Sequence, residues 1–286
     1  MAKEIFGGLS LAGGKRRGTA LSLLSYDEDK NQLVLEDIFG NLGATANQSA
    51  DQALLRVINK RGDVPIVLGV NVPLSLPTCL SCQLPWCPGY EVCEVESIVW
   101  MKKSFPRLKK IHKNAKPAQP YTERPVEIYL RENFPPWLDI PGAYSANLAP
   151  LVSRVQYLKR HISHDIQLIE VLPRLTFYKF SLLFGLSSEL AKTYKAPEHG
   201  SESRLTLLQC LKEKFSLSIE SRDLELLTLN PAPFDAFLSS ITAFLYKCGF
   251  CETPLADFPM SEGWVYYPKN DFNLSIAINN ELNNKN

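Results

Sequence analysis

Three sets of residues in this 286-residue chain have types and spacings suited to chemistry. The first is Cys79, Cys82, Cys87 and Cys93, spaced C-x2-C-x4-C-x5-C among Pro73, Pro77, Pro85 and Pro88. Thiolates this close in sequence can close a tetrahedral zinc site, and a proline-rich loop with little core needs such a staple. Buried or free thiols, or one redox disulfide, are the alternatives. The second set is the basic run Lys102, Lys103, Arg107, Lys109, Lys110, Lys113 and Lys116, with no acid among residues 102–116. Several such cations on phosphates would make binding salt-dependent; a solvated surface helix or loop is the alternative. The third set is acidic. Glu170 interrupts the apolar run Ile169-Glu170-Val171-Leu172, and Asp235 heads Asp235-Ala236-Phe237-Leu238. A buried carboxylate is costly unless it is paired or bound to a metal. The plain readings are an ion pair with Arg174 or Arg124 for Glu170, and a helix N-cap for Asp235. Glu127 lies in a segment starting at Arg124, where charges can pair along a helix.

Weaker signals surround these. The turn Gly13-Gly14-Lys15-Arg16-Arg17-Gly18-Thr19 could contact phosphate through amides and cations. It lacks the Gly-Lys-Ser/Thr of a Walker A loop and precedes a strand, so it reads first as a basic hairpin turn. Cys248 and Cys251 form a second C-x2-C, which reads as packing. His161 and His164 share a helix spacing but have no evident acidic partner, and read as helix C-terminal charges.

The elements that must position these residues follow from periodicity. Ile5–Ala12, Thr19–Ser25 and Gln32–Ile38 read as strands split by short polar turns, an antiparallel meander. Ser49 caps a helix carrying Ala53, Leu54, Val57 and Ile58. Residues 65–70 form an apolar run suited to a strand buried on both faces. Residues 73–100 read as irregular. Helical periodicity returns at 124–132, 146–162, 204–215 and 234–248, with a helix opened by Pro173. Ile166–Leu172 reads as a second buried strand and Trp264–Tyr267 as a closing one.

Composition sets the frame. Hydrophobic residues make up 45% and charged residues 21%, which excludes disordered, collagen-like and coiled-coil chains. The net charge is 31 − 30 = +1, which argues against coating nucleic acid by bulk charge but leaves room for a local basic groove. The start of the chain lacks a basic region followed by an apolar core, and the most apolar stretch, Leu175–Leu186, is too short to span a bilayer. The expectation is a cytoplasmic protein with reduced thiols and no membrane partner.

Taken in order, several segments resemble a family of uncharacterised prokaryotic predicted nucleases with an RNase H-like fold. They are Gly8–Gly13, Val70–Pro77, the Cys-Pro-Gly stretch Cys87–Cys93, Thr122–Glu127, Ile169–Arg174, Phe234–Phe237 and Glu262–Trp264. The resemblance implies an α/β fold: a mixed five-stranded sheet flanked by helices, with a cysteine-containing insertion at about 73–120 and extra C-terminal helices. One domain would span 1–268, followed by a loosely ordered asparagine-rich tail at 269–286. It also implies carboxylates that hold Mg²⁺ or Mn²⁺ for phosphodiester hydrolysis. Glu170 and Asp235 keep the carboxylate. Ser10 and Asn71 stand where aspartates are expected, and Glu127 is a candidate replacement. The site is therefore degenerate, and three functions stay open. One is a weak or inactive nuclease. The second is a non-catalytic nucleic-acid- or protein-binding module, with Lys15, Arg16 and the Lys102–Lys113 run as nucleic-acid contacts. The third is an actin-like nucleotide-binding protein.

Overall fold

The computed structural model describes residues 4–13, 18–27, 29–60, 66–113 and 115–270. In chain order the elements are β1 (Ile5–Ser10), β2 (Ala20–Asp27), β3 (Gln32–Phe39), α1 (Ala50–Asn59), β4 (Ile66–Val70), α2 (Thr78–Ser81), α3 (Glu96–Ile111), α4 (Pro125–Asn133), α5 (Ala149–Lys159), β5 (Ile166–Val171), α6 (Pro173–Leu183), α7 (Ser188–Thr193), α8 (Gly200–Lys214), α9 (Ser221–Leu229), α10 (Pro231–Lys247) and β6 (Val265–Tyr266). Lys15 and Arg16 of the basic turn, and residues 271–286 of the tail, lie outside the described residues.

The chain divides into two compact units, one of residues 1–71, 158–252 and 266–286, the other of 72–157 and 253–265. The first holds the sheet, in the order β3-β2-β1-β4-β5-β6. β1 pairs antiparallel with β2, and β2 with β3, while β1, β4 and β5 run parallel. The fold is thus α/β with a mixed sheet flanked by helices. The sheet has six strands rather than the expected five, because the closing segment Val265–Tyr266 joins it as a short edge strand.

Local chemistry accounts for the elements. β1 is buried along its whole length, as a central strand covered on both faces must be. Ser49 caps α1 with a full capping box: its side chain accepts from the Gln52 N–H and the Gln52 side chain accepts from its own N–H. Proline opens α4, α6 and α10, where its missing N–H costs nothing. α10 packs on the sheet through a small-residue stripe. A Cβ added to Gly8 would lie 1.9 Å from the Ala236 carbonyl, and one on Gly69 2.4 Å from that of Ser239. These two glycines let the helix backbone approach β1 and β4. Ser22 and Ser240 meet across the same interface, hydroxyl to hydroxyl at 3.1 Å.

The second unit is mainly helical. Its apolar centre is an aromatic cluster in which Phe258 meets Trp100 at 5.2 Å and Trp264 at 4.9 Å between ring centroids, and Tyr129 meets Trp264 at 5.0 Å. Residues 102–110 of the basic run lie on a 16-residue helix, α3, that begins at Glu96, and Lys113 and Lys116 follow its end; the segment 73–100, expected to be irregular, thus holds the one-turn α2 and the start of α3. Among the described residues no helix is long and apolar enough to cross a membrane.

Candidate functional site

The strand register decides where the candidate ligands point. Leu9, Val70 and Glu170 are aligned across β1, β4 and β5, one residue beyond the row of Gly8, Gly69 and Ile169. Side chains alternate between faces along a strand. The Gly8 row faces α10, so the Glu170 row faces away from it. Ser10, one residue on, returns to the α10 face. The Asn71 N–H bonds the Leu9 carbonyl at 3.1 Å, extending the ladder, so Asn71 does the same. Ser10 and Asn71 therefore share a face with α10, which carries Asp235, while buried Glu170 lies on the opposite face.

The three candidates on the α10 face, Ser10, Asn71 and Asp235, are each already engaged. The Asn71 Oδ1 accepts from the Leu11 N–H at 2.8 Å, which fixes its amide orientation because a backbone N–H needs an acceptor. Its Nδ2 then donates to Ser10 Oγ at 3.1 Å. Asp235 is buried in the second turn of α10, whose N-cap is Asn230, so it is not a cap. Its Oδ1 accepts from the Tyr194 hydroxyl at 2.8 Å and its Oδ2 from the Lys195 ammonium at 2.6 Å. Tyr194 is fully buried. Burial pushes its phenol well above the ordinary tyrosine range, and the charge of Asp235 pushes further. The buried Arg204 guanidinium donates to the carbonyls of Tyr194 and Thr228.

Glu127 lies in the second unit. It is buried and bound to Arg124, whose side chain is 0% exposed. The Arg124 Nη2 donates to Glu127 Oε1 at 2.5 Å, its Nε to the same oxygen at 3.0 Å, and its backbone N–H to Oε2 at 2.6 Å. Arg124 also donates to Ser75 Oγ at 2.8 Å and to the Glu262 carbonyl at 3.2 Å. The Glu262 carboxylate takes the Thr78 N–H at 3.0 Å and the Thr78 hydroxyl at 2.5 Å. This is a structural network that ties α4 to the segments at 75–78 and 262.

These residues do not fit a two-cation hydrolytic centre. A hard dication needs several uncommitted oxygen ligands, preferably carboxylate. Asp235 has given its oxygens to a phenol and an ammonium, and Asn71 turns its NH₂ toward Ser10. Among the described residues no group of three or more histidine, cysteine or carboxylate side chains is arranged to hold a metal ion.

The basic helix has a well-defined outer face. At 3.6 residues per turn, Lys103, Arg107 and Lys110 form one stripe and Lys102 and Lys109 the next. Ser97, Met101, Ser104 and Leu108 are buried on the other side. Lys102 is spent on structure: its ammonium donates to the carbonyls of Glu91 at 3.0 Å and Cys93 at 2.9 Å. Arg107 lies 3.6 Å from Glu132 and donates to Ser104 Oγ. Lys103, Lys109, Lys110 and Lys113 are exposed. All seven cysteines are free of disulfides, and Cys251 is buried with its thiol toward the Thr242 carbonyl.

Tyr194, Lys195, Arg204, Thr78 and Ser75 are the participants that sequence reasoning missed. No family model, curated protein or solved structure matches the chain.

Proposed function

We propose that this chain is an RNase H-like scaffold without a working hydrolytic centre, and that it acts as a non-catalytic nucleic-acid-binding protein. The strand order β3-β2-β1-β4-β5, with the first three antiparallel and the last three parallel, supports the RNase H-like reading. The loss of hydrolysis is supported by the engagement of Asp235 with Lys195 and Tyr194, and by the two neutral residues Ser10 and Asn71. The observation that carries the binding reading is the outer face of α3. Lys103, Lys109 and Lys110 point outward with no ion pair among the described residues, and Arg107 lies between them. A stripe of cations opposite a buried face matches a phosphate backbone in charge and in linear extent.

The test uses fluorescence anisotropy with labelled single-stranded and duplex DNA and RNA, run beside a cleavage assay in Mg²⁺ and Mn²⁺. Three to four phosphate contacts predict that affinity falls roughly 10–100-fold between about 50 and 200 mM salt. Cleavage stays at background in both metals. Robust Mn²⁺-dependent turnover lost in Glu170→Gln would instead mark the chain as a nuclease. Absence of salt-dependent binding to every probe would remove the binding reading.

A further inference from the structure

The second unit holds a cavity of about 520 Å³ at the C-terminal end of α3, a size that suits a small organic group. Leu108 and the helix C-cap residue His112 line it, and exposed Lys116 follows. The cavity begins where the outward cations of α3 end. Lys110 stands two residues before His112, and Lys113 one residue after it.

Part of the wall is apolar and stiff. Phe134 offers an aromatic ring on which a base can stack. Pro117, Pro135 and Pro136 stand beside it, with no backbone N–H to satisfy and no rotamer freedom to lose. The polar part is held by its own network. His112 Nε2 lies 2.9 Å from the Arg131 carbonyl, and a carbonyl only accepts, so this nitrogen carries a proton. The Arg131 Nε donates to the Ile140 carbonyl at 2.9 Å, and its Nη1 donates to Glu123 Oε1. Glu123 Oε2 accepts the Gln119 N–H at 2.7 Å. Arg131 and Glu123 therefore balance each other's charge, which makes this a poor phosphate pocket. Two groups are left over. Arg131 Nη2 and the Asp139 carboxylate have no partner among the described residues, so a donor and an acceptor line the cavity uncommitted. Asp139 is exposed, at φ +49°, just after the turn Pro136–Leu138.

We propose that this cavity takes one unpaired nucleobase of a single strand whose phosphates lie along the outer face of α3. The proposal rests on the nucleic-acid reading above and deepens it, by adding a base site that is open to single strands and closed to duplexes. The Watson–Crick edge of every base carries both a donor and an acceptor, which match the Asp139 carboxylate and Arg131 Nη2. In a duplex those edges are already paired, so only a splayed-out base can enter. Phe134 stacks on its face, and Lys116 meets the phosphate beside it.

The full chain is titrated by fluorescence anisotropy with three labelled probes of equal length. They are a mixed-sequence single strand, its duplex, and an oligomer made wholly of abasic sites, which keeps the phosphates and lacks the bases. The single strand should bind at least about fivefold more tightly than the abasic oligomer, the lower end of what a good pair of hydrogen bonds to a base contributes. Asp139→Asn should remove that advantage without weakening the abasic oligomer or the duplex. Asparagine tolerates the same positive φ, so the turn survives the change. The change also removes a negative charge, so a purely electrostatic site would bind more tightly instead. Salt-dependent binding that is equal for the base-bearing strand and the abasic oligomer would overturn the base site and leave the α3 reading standing. So would equal weakening of strand and duplex by Asp139→Asn. Absence of salt-dependent binding to every probe would overturn both readings. A rise in melting temperature with free AMP or CMP, while no strand binds, would overturn the strand as the source of the base.

Discussion

A guanidinium with no solvent exposure survives at Arg124 because each of its three nitrogens donates to an acceptor, among them Glu127, Ser75 and the Glu262 carbonyl. Removing one partner of such a pair leaves an uncompensated buried charge. Glu127→Gln is therefore expected to cost roughly 3–5 kcal/mol, read as a lowered urea midpoint. The double change Arg124→Met with Glu127→Leu should cost less than the single one, because both charges leave together; an equal or larger loss would count against the pairing. This partnership was legible in the sequence, since the two residues lie three apart at a helix start. The fate of Asp235 was not. Tyr194 and Lys195 lie 41 and 40 residues earlier, and no spacing rule links them to α10. That cluster predicts a pH effect. The folded Tyr194 phenol is raised above its unfolded value, so the unfolded chain ionises first. The corresponding stability is fully present below the ordinary tyrosine value near ~10 and is lost as pH rises beyond it. Tyr194→Phe should flatten the decline of the urea midpoint between about pH 9 and 11; an unchanged slope would mean the phenol is not the group titrating.

The sheet and α10 show how much an element owes to two residues without side chains. The strands of the first unit were readable because short β-branched or leucine-rich runs split by turn chemistry act locally: the expected strands at 5–12, 19–25 and 32–38 correspond to β1, β2 and β3. The second unit was less readable. Its helix α3 carries proline at position 106 and a cationic face, both of which mask the apolar period that starts at Glu96. α7 and α9 are short and were not anticipated, because each makes only one buried residue visible to a periodicity search. What no local pattern conveys is the close approach of α10. Gly8 and Gly69 read as ordinary glycines, and only the helix backbone above them gives them their role. A methyl group at Gly8 meets backbone rather than a flexible side chain, so the helix itself must shift. Gly8→Ala should cost on the order of 3 kcal/mol, the upper part of the range for overpacking. Gly13→Ala, where an added Cβ meets nothing within 4 Å, serves as the control and should be near neutral in the same thermal melt. Comparable losses in the two variants would rule out close packing as the cause.

At the scale of the whole molecule the question is whether polyanion binding belongs to the chain's total charge or to one face. The total is +1, too small to concentrate nucleic acid by itself. It is an average that conceals the outward stripe of α3, while the acids are dispersed or, as at Asp235, Glu127 and Glu262, buried and spent. Two double charge reversals separate the possibilities. Lys103→Glu with Lys110→Glu takes the net charge to +1 − 4 = −3, and Lys212→Glu with Lys214→Glu, on the exposed end of α8, takes it to the same −3. If the face binds, the first pair should weaken binding to a labelled single strand at least tenfold and reduce the salt slope by about two contacts, since each phosphate contact contributes ~0.7 to the slope for single strands. The second pair, with the same total charge, should change affinity only slightly at about 150 mM salt, where the screening length is ~8 Å. Equal losses in the two variants would assign binding to bulk charge and leave α3 a solvated surface helix.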